Sequence, residues 1–165
     1  RELARSTAAA VELDLPADGA ELELAHPDWC TRFVAPVLPE QRIVLEPRPR
    51  ARVRFVGLPP IAAGLCIEVE VSGRADGRVV GESVAVLTRD EPDAMDLRPP
   101  CNGAMSLRLT ARRIEPDGAL TDQRSSLRFA IEVPQGGVKA EIVLELDRVA
   151  RDTLAEGLER LRRLR

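Results

Sequence analysis

The chain predicts an all-β fold, an antiparallel two-sheet β-sandwich closed by a C-terminal α-helix. Three observations carry that prediction. Apolar and polar residues alternate in short runs bounded by Pro, Gly, Asp and Asn, the pattern of half-buried strands joined by tight turns. About eight or nine such runs recur at roughly ten-residue spacing, which two packed sheets accommodate most economically. From Asp147 onward the apolar period becomes helical.

Taken in order, residues 1–10 form an N-terminal segment, 11–146 the sandwich, and 147–165 the helix. Val11, Leu13 and Leu15 alternate with Glu12 and Asp14; the turn Pro16-Ala17-Asp18-Gly19 then leads into Leu22 and Leu24, which alternate with Glu21 and Glu23. This predicts a hairpin with its apolar face inward. Val53 and Phe55 alternate with Arg52 and Arg54, and Leu65, Ile67, Val69 and Val71 with Cys66, Glu68, Glu70 and Ser72. Met105, Leu107 and Leu109 alternate with Ser106, Arg108 and Thr110.

The turns have matching chemistry, since Asp-Gly supplies the positive φ that tight hairpins need. Asp76-Gly77 is expected to join 65–72 to 79–87, Pro116-Asp117-Gly118 to follow 104–114, and Pro134-Gln135-Gly136-Gly137 to join 127–133 to 138–146 as a hairpin. In the helix, Ala150, Leu154, Leu158, Leu161 and Leu164 share one stripe, with Asp147 as N-cap. Arg160, Arg162, Arg163 and Arg165 suit the negative end of its dipole, and Glu156 and Arg160 form an i,i+4 pair.

Composition narrows the function classes. With 165 residues, 44% of them apolar, and a net charge of -3, the chain fits one globular domain or one domain with a short appendage, and neither a disordered nor a collagen-like chain. It begins at Arg1 without a secretory signal pattern, and is read as a piece of something longer. The longest uncharged run, Phe55 to Ile67, has 13 residues and is broken by Pro and Gly, too short for a spanning helix. Three widely spaced cysteines, Cys30, Cys66 and Cys101, permit at most one disulfide, which rules out a disulfide scaffold; Cys30 and Cys101, in loop-like segments, can pair or stay reduced.

The chemistry-bearing residues are sparse. His26, the only histidine, lies in a Pro-flanked turn, poorly placed as a catalytic base. His26 with Cys30 makes half a zinc site, and Asp90, Glu91, Asp93 and Asp96 are dense in oxygen ligands but lack the EF-hand spacing. No catalytic residue, metal ligand or cofactor site is assigned. The aromatics are Trp29, Phe33, Phe55 and Phe129 alone, too few for sugar- or base-stacking surfaces; only Trp29 is a candidate contact. Arg48, Arg50, Arg52 and Arg54 recur at every second position and line one strand face, either as a grip for an anionic ligand or as a ladder against Glu68 and Glu70 in the following strand. The acidic pI near 5.4 argues against nucleic acid. Leu154, Leu158 and Leu161 form a stripe that either packs on the sandwich or meets a partner helix.

The stretch Ile67 to Val86, in which a strand reaches Gly73, crosses Asp76-Gly77 and returns through Val80-Gly81-Glu82-Ser83-Val84, resembles the opening of the bacterial carboxypeptidase regulatory-like domains. Leu22 to Pro47, with Ala25-His26-Pro27-Asp28 and the run Arg42 to Pro47, is similar to the closing strands of such a module. The resemblance implies the tail of one repeat at 11–47 and a second at 48–146. It further implies a transthyretin- or immunoglobulin-like sandwich, not itself catalytic, strung beside other domains in exported bacterial proteins and hence extracytoplasmic. The expected function is therefore a non-enzymatic spacer or protein-interaction module, with other domains of the same polypeptide, or a protein met through the helix, as partners. The alternatives are a module binding carbohydrate or another anionic ligand through Trp29 or the Arg48–Arg54 row and, last, a small metal-dependent hydrolase.

Overall fold

The structure is a computed structural model; it describes residues 21–26, 28–38, 41–91, 93–121, 126–133 and 139–163, with the backbone alone at 82–84 and 139–140. The described elements are β1 (Leu22–His26), β2 (Trp29–Val34), β3 (Arg50–Val56), β4 (Leu65–Ala75), β5 (Arg78–Leu87), β6 (Ala94–Leu97), β7 (Gly103–Arg113), β8 (Ser126–Val133), β9 (Lys139–Glu145) and α1 (Arg148–Arg163). The strands form a β1-β2 pair, a three-stranded sheet in the order β6-β3-β9, and a four-stranded sheet in the order β5-β4-β7-β8. The chain is thus mostly β with one C-terminal helix, as its alternation predicts.

Period-two patterning sets what each strand buries. In β4 the inward set Leu65, Ile67, Val69, Val71 and Ala75 is buried, and β7 matches it with Met105, Leu107, Leu109 and Ala111. Ala51, Val53 and Phe55 of β3, Met95 and Leu97 of β6, Leu144 of β9, and Ile131 and Val133 of β8 join the same cluster. Both larger sheets and the helix therefore contribute to one continuous core, made almost entirely of Val, Leu, Ile, Ala and Met.

The β4–β5 hairpin closes on Asp76 (φ 48°) and Gly77 (φ 80°), with Ala75 opposite Arg78. Positive φ at both central residues is the two-residue turn whose twist suits a hairpin, and Asp-Gly tolerates it. The strands slip by one residue between Val69 and Glu70, leaving Val84 unmatched in the ladder. At Pro116-Asp117-Gly118 the chain turns where expected: Gly118 has φ 84°, and Ile114 bridges Leu120.

Two expectations are corrected, and a third falls outside the described residues. The segment before 21, the expected hairpin partner of 22–24, lies outside the described residues; the strand at 22–24 pairs with β2. Cys30, expected in a loop, is inside β2. The largest correction concerns the last hairpin: β8 pairs with β7, whereas β9 pairs with β3 in parallel register, Val53 opposite Ile142. β8 and β9 therefore lie in different sheets, and the antiparallel hairpin expected between them fails. Lys139–Glu145 has its inward residues Ile142 and Leu144 at the spacing of either arrangement, so alternation alone leaves the partner open.

The helix begins as its sequence specifies. The Asp147 carboxylate accepts a hydrogen bond from the Ala150 backbone N–H at 2.7 Å, capping the first turn. Ala150, Leu154, Leu158 and Leu161 are buried in the common core, with α1 lying against β7, β4 and β8; Leu164 is outside the described residues. Each buried leucine contributes about 1.5–3 kcal/mol. The stripe is covered by the chain's own sheets, so Leu154, Leu158 and Leu161 are core residues and present no apolar surface to a partner.

Candidate functional site

The outward face of the four-stranded sheet concentrates the charge. Glu70 stands directly opposite Arg108 across β4–β7 and is bonded to it. One step along, Arg112 places both Nε and Nη2 on Glu68 Oε2, at 2.8 and 2.7 Å, while its Nη1 donates to the Thr121 carbonyl at 2.6 Å. This second pair is half-buried, 17% and 13% exposed, and so is less screened than surface pairs. The carboxylates of Glu68 and Glu70 do form a cross-strand ladder as their alternation suggests, but with β7 rather than with the arginines of β3. Strand order puts β4 and β3 in different sheets, which no local pattern reveals.

Beyond Arg108 the ladder changes sign. Arg128 of β8 lies directly opposite Arg108, a like-charge pair, and among the described residues Arg128 has no acidic partner. A shallow open hollow of ≈ 690 Å³ lies over this face. Its floor is Ser72, Gly81, Ala104 and Ser106, and its charged rim is Arg74, Arg108, Arg128 and Glu70. Arg74 spends one N–H on the Gly77 carbonyl at 2.9 Å. Three guanidinium groups against one carboxylate suit a small anion. Sequence reading missed this place because Arg74, Arg108 and Arg128 come from three strands and form no run.

The arginine row of β3 has a different setting. Arg52 is flanked in register by Asp96 of β6 and Glu141 of β9, and Arg54 Nε is 3.8 Å from Glu141 Oε1. Arg50, Arg52 and Arg54 thus lie outward on a central strand between two strands that carry carboxylates. Arg48 falls before the strand, where its Nε donates to the Trp29 carbonyl at 3.1 Å. Trp29 is 38% exposed, opens β2, and bridges Pro47 through the backbone.

The remaining chemistry-bearing groups are dispersed. His26 is exposed, and its Nδ1 accepts from the Asp28 backbone N–H at 3.1 Å, a contact within its own turn. Among the described residues no three His, Cys, Asp or Glu side chains gather closely enough to hold a metal ion, Asp90, Glu91, Asp93 and Asp96 included. All three cysteines are free thiols and buried. Burial pushes the Cys66 thiol up to about 11, and raises Cys30 and Cys101 as well. Asp76 goes the other way: the Phe33 backbone N–H at 2.8 Å, with Arg32 Nε at 2.9 Å, holds its carboxyl below the usual range. The turn residue that shapes the β4–β5 hairpin thereby also anchors β2.

Comparison with known proteins returned no match to a family model, to a curated protein or to a solved structure.

Proposed function

We propose that the chain is a non-enzymatic module that serves as a spacer or protein-interaction unit within a larger polypeptide, with its two larger sheets facing each other as a sandwich of the transthyretin or immunoglobulin kind. One observation carries the reading: the reactive groups are committed to holding strands together. Glu68 and Glu70 are bonded to Arg112 and Arg108 across β4–β7, the thiols are kept protonated in the interior, and His26 closes its own turn. The likeness of Ile67–Val86 to the carboxypeptidase regulatory-like modules agrees with it, including Gly73, over which Cys101 is packed. The test is an assay of the purified chain against ester, peptide, phosphoester and glycoside substrates. The reading expects turnover no greater than that of the His26→Ala variant; activity abolished by His26→Ala, or by removing a defined carboxylate pair, overturns it.

A second reading, a module for anionic ligands, is favoured by the Arg108–Arg128 pair beside the hollow. It moves the expected grip from the Arg48–Arg54 row, where carboxylates intervene, to the face of the other sheet. Heparin-affinity retention and a sulfate titration followed by amide chemical shifts distinguish the two readings. The anion module expects Arg128→Glu to abolish retention and Arg52→Glu to leave it; no retention of the parent chain removes it.

A further inference from the structure

Two of the buried thiols come from segments that are bonded to each other. Cys30 lies in β2, and Cys101 in the segment between β6 and β7, 71 positions later. The Thr31 backbone N–H donates to the Pro100 carbonyl at 3.0 Å, so Cys30 and Cys101 each neighbour a bond that joins the two segments. The Asn102 backbone N–H, one residue beyond Cys101, bonds the Cys30 sulfur, which brings that sulfur to the Cys101 segment. Further contacts pin both strands of this junction: Cys30 N–H to the Glu46 carbonyl at 2.7 Å, Asn102 Nδ2 to Glu46 Oε2 at 2.7 Å, and Arg98 to Asp28 at 3.1 Å. Each thiol is 5% exposed, and a negative charge on Cys101 would raise the Cys30 thiol further, which places the two sulfurs within electrostatic reach.

Gly73 supplies the space. A Cβ at that position would stand 2.5 Å from Cys101 Sγ, so only glycine lets the sulfur settle on β4 and stay beside β2. Cys66 lies elsewhere, in β4 among Glu68 and Arg112, and belongs to neither strand of the junction.

We infer that Cys30 and Cys101 are a disulfide-forming pair that locks the β1–β2 ribbon to the body of the protein when a small-molecule or protein disulfide is available as oxidant. The Cys30 or Cys101 thiolate attacks the oxidant's S–S bond, releasing one thiol and leaving a mixed disulfide. The second thiolate then displaces the other half of the oxidant as a second thiol. The two cysteines lose two protons and two electrons, and the oxidant disulfide is reduced to two thiols. The bond would close a long loop and restrain the unfolded chain.

The full chain is incubated with oxidised glutathione, quenched with acid, and its thiols are counted in denaturant. The expected count falls from three to one, with an intact mass lower by two hydrogens and a Cys30–Cys101 peptide in a non-reducing digest. Cys66→Ser should lose both of its remaining thiols, whereas Cys30→Ser and Cys101→Ser should form no intrachain bond. The oxidised parent should melt about 10 °C higher, reversibly on adding a phosphine reductant. Three surviving thiols, a bridge that includes Cys66, or persistent glutathione adducts in place of an intrachain bond would each overturn the pairing.

Discussion

Arg112 of β7 ties the Glu68 side chain of β4 to the loop that follows β7, with two N–H groups on Glu68 and a third on the carbonyl of Thr121. Truncating it strands a half-buried carboxylate, so Arg112→Ala should cost about 2–3 kcal/mol in urea unfolding; Arg52→Ala, on an exposed and screened face, should cost under about 0.5 kcal/mol. Asp76 gives a pH signature. Its carboxyl is held below the ordinary value by the Phe33 N–H and Arg32, so the stability it contributes is present above about pH 4 and is lost as pH falls through its lower folded value. Asp76→Asn keeps a residue that tolerates positive φ; it should lose about 1 kcal/mol at neutral pH and show a flatter acid limb when unfolding is followed from pH 6 to about pH 2. At this scale much was legible. The faces of Glu68, Glu70, Arg108 and Arg112 follow from alternation, and the Asp76-Gly77 turn from its chemistry. Which side chain meets which was not, because pairing depends on strand order.

Within the described residues the helix realises its sequence signals: the Asp147 cap, the stripe Ala150, Leu154, Leu158 and Leu161, and the basic Arg160, Arg162 and Arg163. Its energetics should follow. Leu158→Ala should destabilise the chain by about 2–5 kcal/mol through lost burial and a cavity, and Asp147→Ala by about 1 kcal/mol, both read by thermal or urea unfolding. Light scattering on Leu158→Asp should report unfolding or aggregation rather than dissociation of an oligomer, since the stripe is internal. The β8–β9 connection shows the opposite case. Pro134-Gln135-Gly136-Gly137 has the composition of a hairpin turn, but glycines permit a crossover equally well, and β9 finds a second strand, β3, at the correct spacing. Local chemistry leaves the partner open; the core, through Val53, Phe55, Ile142 and Leu144, decides where β9 goes.

At the scale of the molecule, the scarcity of aromatics and the alternation of short apolar runs produce a core of aliphatic side chains shared by two sheets and a helix. Three buried thiols, Cys101 among them in that core, contribute a dependence of stability on alkaline pH. Folding raises them, Cys66 to about 11, so the stability linked to their protonation is fully present below the ordinary thiol value and is lost as pH rises through the folded values. Cys66→Ala should therefore weaken the fall in melting temperature between about pH 8 and pH 11. The central feature of the fold is that β9 leaves β8 and joins β3 in parallel, where turn composition alone predicts an antiparallel hairpin. Nuclear Overhauser contacts in the isotopically labelled chain test it most directly. The account predicts the Hα-to-amide contacts of a parallel pair between Arg52, Val53 and Arg54 and residues 141–143. Close Hα–Hα contacts between 127–133 and 139–145, the mark of an antiparallel hairpin, would contradict it.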